Sequence, residues 1–388
     1  MEARNDVQGS IDEREPLIIR RVDAIPLGLP LAKPVAMAGV TVRQALNILV
    51  RIESADGTVG WGEAASAPTM TGDTLGSLLT AVRDHLGPLL IGEDAWMRAA
   101  LRHKLERAMF GNTGAHSAIE VALLDLAGRS SGLPLVDLIG GPMRRAVPPM
   151  WLLGNPTPEQ DVAEAHAKRA QGFGFFKLKI GTKAVDHEIE STLALRKGLG
   201  ITTPLCADAN CGLTLADACR YVEGVREAGL LFVEQPLAHA DLKGLARLTR
   251  ISSIPIGADE GIHSLADIEA HERCGAGGVS LKLIKLGGMS AAVEAAQLCQ
   301  RLGLSINIAA KIAESSIASA AAIHLACAAP AVDWGVSLTH FYLAEDIARE
   351  PLAISDGEVA LPAGPGLGID VDEAQVERFR QSTSVLSG

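Results

Sequence analysis

The amino-acid sequence predicts an α/β protein: a (β/α)8-type barrel with an α+β capping domain formed by the N-terminal segment and the C-terminal tail. Two observations predict the barrel: the eight short apolar runs that follow Gly141-Pro142, and the amphipathic helical stretches that separate them. A third observation, strand-like runs on both sides of an Asp56-Gly57 turn, predicts β-structure at the start of the chain. With 388 residues, 48% of them hydrophobic, the chain can bury the cores of both parts.

The N-terminal part is predicted in three steps. Residues 1–16 are polar and acidic, and we expect them to form a disordered leader. From residue 17 the pattern is strand-like, and over about residues 75–129 apolar residues recur at three- and four-residue steps until Gly132 stops the helix. Residues 17–140 are therefore predicted to form the α+β capping domain.

Residues 141–345 hold the predicted barrel, because each connection between apolar runs is long enough for a helical crossover between parallel strands. An open doubly wound sheet alternates in a similar way, but eight near-equal units favour closure. The turn-rich, β-like residues 346–388 are expected to return to the capping domain. The predicted strands are "PPMWLLG", "FFKLKIG", "TPLCADAN", "LLFVEQP", "IPIGADE", "GVSLKLI", "LSINIAA" and "VDWGVSL".

Composition limits the partners. The net charge of −11 and the pI near 5.4 argue against nucleic acid and anionic membranes, because both would repel the chain. The charge instead favours a small-molecule partner, and we also expect a homo-oligomer. No segment has the pattern of a signal peptide or a bilayer span, so we expect a cytoplasmic protein. The cysteines lack zinc spacing and are expected to be reduced; they are Cys206, Cys211, Cys219, Cys274, Cys299 and Cys327.

Charged residues interrupt the apolar runs near the C-terminal ends of consecutive predicted strands, where barrel enzymes build their active sites. One interpretation is a set of buried structural ion pairs. Each desolvated charge is costly before pairing offsets it, so the convergence of many charges on one mouth favours a functional site. These residues, with one asparagine, are Lys177, Lys179, Asp208, Asn210, Glu234, Asp259, Glu260, Lys282 and Lys285.

The acidic members of this set predict a metal site. Asp208, Glu234 and Asp259 follow three adjacent strands and offer hard oxygen ligands. This donor set suits Mg²⁺, with Mn²⁺ as the alternative, better than the softer His and Cys set that zinc prefers.

The lysines predict proton transfer. Strand alternation places Lys177 and Lys179 on one face, where the two cations crowd each other and the metal and are expected to have lowered pKa values. One lysine can then hold an anion while the other accepts a proton. Lys282 lies four strands from Lys179 in an eight-stranded ring, so the two are expected to face each other across the mouth. A substrate carboxylate between them would have a base on each side of its α-carbon.

These residues resemble those of the enolase superfamily, specifically the muconate lactonising enzyme subgroup. The resemblance covers nearly the whole chain and rests on "GTVGWGEA", the "FKLKIG" lysine pair, "ADAN", "VEQP", "ADE", "LKLIKLGG" and "GPGLGI". It implies that Lys179 and Lys282 are the acid–base pair and that Lys177 steadies the substrate carboxylate or tunes Lys179. It further implies that the three carboxylates bind Mg²⁺, supported by Asn210 and Glu260.

The resemblance also implies three overall reactions that share abstraction of the α-proton of a small carboxylate and an enediolate intermediate. We expect a racemase or epimerase of an amino-acid derivative; the alternatives are a muconate-type cycloisomerase and a dehydratase of a hydroxyproline-like substrate. A non-catalytic binding protein would have lost a ligand or a base, and all are present.

Departures from the family pattern narrow the substrate. Ser337 stands where muconate lactonising enzymes carry a glutamate, and Val336-Ser337-Leu338 lacks the Asp-x-Asp of dipeptide epimerases. We therefore expect an apolar or uncharged substrate group beside Ser337. Capping loops around "VAMAGVTV" and "APTMTGDT" are expected to close the site, where Met37, Met70 and Thr71 either contact substrate or pack between domains.

Two further features are left open or treated as structural. His166, His263 and His324 fall on predicted helices, and we interpret them as structural residues. Glu314 starts the helix after the seventh strand, where stabilisation of the helix start and substrate contact are equally consistent with its position.

Overall fold

The computed structural model describes residues 14–37 and 40–382. Most of the predicted leader, residues 1–13, lies outside this range, and residues 14–16 have no regular secondary structure. The side chain of Met37 also lies outside the described part of the chain.

A three-stranded antiparallel sheet opens the fold and confirms the β-structure predicted at the start of the chain. The first strand runs further than its sequence suggests, because a register shift between Pro30 and Val35 lets it continue past two prolines. In the turn before the third strand Gly57 has a φ of 88°, a conformation that glycine adopts without strain. The strands are β1 (Ile19–Met37), β2 (Val40–Ser54) and β3 (Val59–Ala65).

Helices cover one face of this sheet: α1 (Leu75–Thr80), α2 (Arg98–Ala108) and α3 (Thr113–Ser131). Helix α3 packs directly on β3 because two glycines leave room for it. A Cβ atom on Gly62 would lie 2.0 Å from the Ala118 carbonyl oxygen, and one on Gly60 would lie 2.2 Å from that of Ala122. The "GTVGWGEA" stretch therefore sets the sheet-to-helix distance.

After a two-residue strand β4 (Ala146–Val147), eight parallel strands form the barrel, and each lies within a predicted run. An isolated bridge between Pro149 and Val336 joins the last strand to the segment before the first, so the barrel is nearly closed. The strands are β5 (Met150–Leu153), β6 (Phe175–Lys179), β7 (Leu205–Asp208), β8 (Val233–Glu234), β9 (Ile256–Ala258), β10 (Gly278–Leu281), β11 (Ser305–Ala309) and β12 (Val336–Ser337).

Helices connect successive barrel strands, which confirms the predicted (β/α)8-type architecture. Between β10 and β11 the chain forms a short helix and then a long one. The connecting helices are α4 (Pro158–Arg169), α5 (Val185–Leu199), α6 (Leu215–Gly224), α7 (Leu242–Ile251), α8 (Leu265–Arg273), α9 (Leu283–Leu286), α10 (Met289–Leu302) and α11 (Ser316–Ala328).

Large apolar side chains fill the barrel below the strand ends that carry charge. Trp334 stacks on Phe232 with ring centroids 4.1 Å apart, and a Cβ on Gly257 or Gly278 would lie 2.7 Å from the Trp334 ring. These side chains fill this end of the barrel, and in barrel enzymes ligands bind at the opposite, C-terminal end of the strands.

The C-terminal residues contact both parts of the molecule. Strand β13 (Val359–Ala360) pairs with β4, and α12 (Glu373–Phe379) is followed by a hydrogen bond from the Gln381 N–H to the Pro26 carbonyl oxygen in β1. The domain boundaries drawn from the sequence stay predictions. Among the helices of the described residues, none has the length and apolar character needed to cross a bilayer.

Candidate active site

A cavity of about 340 Å³ lies at the C-terminal ends of the barrel strands, at the mouth where the sequence places the site. The capping loop contributes Thr69 and Met70 to its wall. The predicted residues that line the cavity are Lys177, Lys179, Asp208, Asn210, Glu234, Asp259, Glu260, Lys282 and Ser337.

Lys177 projects from the middle of β6 to the carboxylate of Glu234 at the end of β8. The two form a buried ion pair, and the Ser280 hydroxyl donates a second hydrogen bond to Glu234. Lys177 is 3% exposed and Glu234 is 1% exposed, so solvent contributes little to either charge. The pair fixes the inner wall of the cavity.

Lys179, two residues further along the same face of β6, pairs with Asp208. Its ammonium group lies 2.5 Å from Asp208 Oδ2 and 2.8 Å from Asn210 Oδ1. Asn210 also donates from Nδ2 to Glu260 Oε1 at 2.9 Å. Asn210 therefore links the predicted base to Glu260, as expected for a residue that supports the metal ligands.

The carboxylate of Asp259 forms ion pairs with two lysines. Lys282 lies 2.5 Å from its Oδ2 atom, and Lys285 lies 2.6 Å from its Oδ1 atom. The sequence places Lys285 in the sixth strand, whereas it lies in helix α9, which returns its side chain to Asp259. Gln235 fixes the backbone here, because its Oε1 atom accepts from the N–H groups of Asp259 and Gly261.

The donor set fits a divalent cation by its chemistry and its place in the sheet. Asp208 pairs in register with Glu234, Glu234 pairs with Gly257, and Asp259 follows two residues later, so three carboxylates come from adjacent strands. Such hard oxygen donors suit Mg²⁺. Each of these three carboxylates forms an ion pair with a lysine. Among the described residues, no three Asp, Glu, His or Cys side chains lie close enough together to hold an ion in this arrangement.

The pKa of Lys177 differs from the sequence-based expectation. Burial disfavours the charged form of Lys177, but the Glu234 carboxylate outweighs it and raises the pKa of Lys177. The same balance, with Asp259 as the partner, raises the pKa of Lys282. The expectation considered only cation crowding, whereas the fold places each lysine against a carboxylate. Burial, reinforced by Asp259 and Asp208, raises the pKa of Glu260 to about 7.

Opposite sides of the barrel mouth carry the two predicted acid–base lysines. Lys179 is on the second barrel strand and Lys282 directly follows the sixth, and both ammonium groups line the same cavity. In a closed ring of eight strands these positions face each other across the axis.

Only some of the residues predicted to contact the substrate line the cavity. Ser337 lines it from β12. Thr71 does not, because its hydroxyl donates to Asp73 Oδ2 at 3.0 Å and the preceding residues form the wall. Met70 lies there instead, with its sulfur 3.9 Å from Lys282 Nζ.

Several cavity residues were not identified as functional from the sequence. His263, interpreted from the sequence as a structural residue on a helix, lines the cavity; it precedes helix α8 instead of lying within it, and its ring contacts the Met70 carbonyl oxygen at 2.9 Å. Lys311 and Thr339 line the cavity beside β11 and β12. Burial lowers the pKa of Lys311 to about 8. No periodicity marks these loop residues, and only their position directly after predicted strands could have identified them.

Comparison with known families covers both parts of the chain. Residues 20–140 match the mandelate racemase / muconate lactonizing enzyme N-terminal domain, and residues 160–375 match the enolase C-terminal domain-like family. A chloromuconate cycloisomerase of Pseudomonas putida is 32% identical over 371 residues, covering 94% of this chain and 99% of that protein.

Solved structures show the same relationship. The muconate lactonizing enzyme of Pseudomonas fluorescens, complexed with muconolactone, superposes with a TM-score of 0.91 at 32% identity and covers 95% of this chain and 100% of its own. The N-succinyl Arg/Lys racemase of Bacillus cereus superposes with a TM-score of 0.89 at 26% identity, and the match covers 94% of this chain and 98% of the racemase.

These relatives are isomerases, and Mg²⁺-dependent proton abstraction is general in their family. The barrel, the capping sheet, both family matches and the similarity along the whole length agree with the resemblance seen in the sequence. The chain is therefore an enolase-superfamily isomerase and belongs to the mandelate racemase / muconate lactonizing enzyme family.

Proposed function

We propose that this chain abstracts the α-proton of a small carboxylate and that its overall reaction is racemisation or epimerisation of an amino-acid derivative. The observation that carries the proposal is the position of Lys179 and Lys282 on opposite sides of one cavity, with the carboxylates of β7, β8 and β9 between them. A base on each face of an α-carbon is the arrangement that inversion of configuration needs.

In this proposal each side chain has one task. Lys179 and Lys282 exchange protons with the two faces of the α-carbon, and Lys177 steadies the substrate carboxylate. Asp208, Glu234 and Asp259 hold a divalent cation, which stabilises the negative charge of the enediolate. Asn210 orients Lys179, whose ammonium group donates to its Oδ1 atom, and Asp208, whose Oδ1 atom accepts from the Asn210 backbone N–H at 2.9 Å. Glu260 holds Asn210 by accepting from its Nδ2 atom.

Cycloisomerisation is the second candidate, and the similarity to chloromuconate and muconate cycloisomerases favours it. In such a reaction one lysine transfers the proton and the other has no proton to transfer. The hydroxyl of Ser337, where the resemblance places a glutamate in muconate lactonising enzymes, supports the first candidate over this one.

Proton exchange distinguishes the candidates. The enzyme with Mg²⁺ is incubated in D₂O with proline derivatives, N-acyl amino acids and cis,cis-muconate, and each reaction is followed by NMR and by chiral chromatography. A racemase incorporates deuterium at the α-carbon and loses optical activity, whereas a cycloisomerase converts muconate to a lactone. Absence of α-proton exchange in every N-acyl and proline substrate, with conversion of muconate, would overturn racemisation.

Two other expectations from the sequence, a cytoplasmic location and a homo-oligomeric state, stay predictions. The cysteines in the described residues form no disulfide bonds.

A further inference from the structure

Lys311 is a cation in the cavity wall that has no assigned task. It lies two residues after β11, and its ammonium group donates to the Ile312 carbonyl oxygen at 2.8 Å. Within residues 14–37 and 40–382 it forms no ion pair with any carboxylate. The other lysines of the cavity, Lys177, Lys179 and Lys282, each face an acid.

The nearest acids do not serve as partners for this ammonium group. Glu314 accepts from the Lys311 backbone N–H at 3.0 Å but forms no hydrogen bond or ion pair with the Lys311 side chain. Its charge only partly opposes the effect of burial on the pKa of Lys311, and burial raises the pKa of Glu314 itself to about 8. Glu260 is bonded to Asn210, and its electrostatic neighbours are Asp259, Asp208 and Lys282. A partly buried ammonium group without a carboxylate is costly unless an anion binds there.

Ser337 is a second observation at the same place. Its side chain is buried, with the residue 7% exposed, and among the described residues its hydroxyl has no hydrogen-bond partner. The pairing of Ala309 with Ser337, and the bond from the Ala310 N–H to the Ser337 carbonyl oxygen at 2.9 Å, join its backbone to the two residues before Lys311, and both Ser337 and Lys311 line the cavity. A buried hydroxyl in a cavity wall with no partner in the protein indicates a ligand that bonds to it.

The loop that carries Lys311 is held in place. The Thr339 hydroxyl donates to the Lys311 carbonyl oxygen at 2.7 Å and accepts from the Glu314 N–H at 3.0 Å. The backbone therefore needs no rearrangement for the ammonium group to meet a ligand.

We infer that Lys311 and Ser337 bind a second anionic group of the substrate, a carboxylate distant from the reacting one. This inference rests on the proposed function for the position of the reacting carboxylate, near Lys177 and the acids of β7 and β8. Strands β11 and β12 lie four positions from β7 and β8 in the ring, on the other side of the mouth. The substrate class is thus a dianion whose two acidic groups span the cavity. The sequence alone predicts an uncharged group here, because it does not place Lys311 beside Ser337.

Binding of matched probes tests the inference. N-succinylglycine carries a terminal carboxylate where N-butanoylglycine carries a methyl group. In the second pair, cis,cis-muconate has two carboxylates and its monomethyl ester has one. Isothermal titration calorimetry is performed with Mg²⁺ on the natural protein, on Lys311→Met, which removes the charge at similar volume, and on Lys311→Arg, which keeps it.

The natural protein is expected to bind at least one dianion about 10- to 100-fold more tightly than its matched monoanion, as a charge-assisted hydrogen bond allows. Lys311→Met should remove this preference, and Lys311→Arg should retain most of it. The inference is overturned if neither pair shows a preference in the natural protein, or if Lys311→Met keeps it.

Exchange of the glycyl α-protons in D₂O, measured on the same N-acyl probes, separates this inference from the proposed function. A Lys311-dependent preference without any exchange would retain the anion site and reject α-proton abstraction. Exchange that proceeds equally with both N-acyl probes, together with equal binding, would reject the anion site and retain the reaction.

Discussion

Glu63 of the capping sheet accepts hydrogen bonds from Ser315 at the start of helix α11 in the barrel, from its hydroxyl at 2.5 Å and its backbone N–H at 3.1 Å. The Ala318 N–H and the Asn47 side chain also donate to this carboxylate. Burial raises the pKa of Glu63 to about 7. A single buried acid thus joins the two parts of the molecule at a helix N-terminus.

We predict that this acid makes stability depend on pH. In the unfolded chain its pKa is near the ordinary 4.5, so between pH 4.5 and about 7 the folded protein binds more protons. The free energy of unfolding should therefore fall as the pH rises through this window. Glu314, whose pKa burial and Glu63 raise to about 8, extends the fall. Urea unfolding at pH 5, 6, 7 and 8 measures the slope.

Replacement of Glu63 by Gln should make this fall shallower. The contribution of Glu63 to the loss of unfolding free energy across the window is on the order of 3 kcal/mol or less, since each pKa unit corresponds to about 1.4 kcal/mol. The exposed Glu269 is the matched control, and Glu269→Gln should keep the natural slope. A slope identical in Glu63→Gln and the natural protein would show that Glu63 is not the titrating group.

The second prediction concerns the cation. Glu234→Gln should abolish binding of Mg²⁺, or of Mn²⁺ followed by electron paramagnetic resonance, because it removes the middle carboxylate of three. The circular dichroism spectrum should stay unchanged, since Gln has nearly the same volume. Glu269→Gln again serves as the control and should bind the cation normally. Full activity of the natural protein in excess chelator would contradict a role for the cation.

The third prediction concerns the two lysines. Lys179→Ala and Lys282→Ala should each lower turnover by at least about 10²- to 10⁴-fold, the contribution of general acid–base catalysis. In a racemase each variant should still exchange the α-proton of one enantiomer with D₂O, and the two variants should retain opposite enantiomers. Lys197→Ala, at an exposed position on α5, should be fully active. An unimpaired Lys282→Ala enzyme would refute the assignment of two bases.

Much of the fold follows from the sequence because strands buried on both faces must be apolar. The eight runs, and the charges that interrupt them, are therefore visible without a structure. The sequence does not show which carboxylate each buried lysine pairs with. Alternation predicts that Lys177 and Lys179 share a face, but only the register shows that they meet Glu234 and Asp208. The predicted lowering of their pKa values was therefore wrong for Lys177, whose pKa is raised.

Loop residues were the least predictable part of the site. Lys311 lies in "AAKIAESS", where neither alternation nor helical periodicity indicates a direction. Thr71 was expected to contact the substrate by its place in a capping loop, and a local hydrogen bond to Asp73 turns it away. Short-range bonds of this kind determine which loop side chains reach a cavity.

The last prediction concerns Ser337 and the positively charged substrate groups that are disfavoured beside it. A neutral hydroxyl cannot form an ion pair with an ammonium group, and Lys311 beside it would repel one, so substrates with a free primary ammonium should be disfavoured. Ser337→Ala should lower kcat/KM by about tenfold or less, because a single neutral donor contributes roughly 0.5–1.5 kcal/mol. The measurement compares kcat/KM for an N-acyl amino acid and the corresponding free aminoacyl compound in both enzymes. A strong preference for the ammonium-bearing substrate, with no further acid found beside Ser337, would show that this wall of the cavity accepts cations.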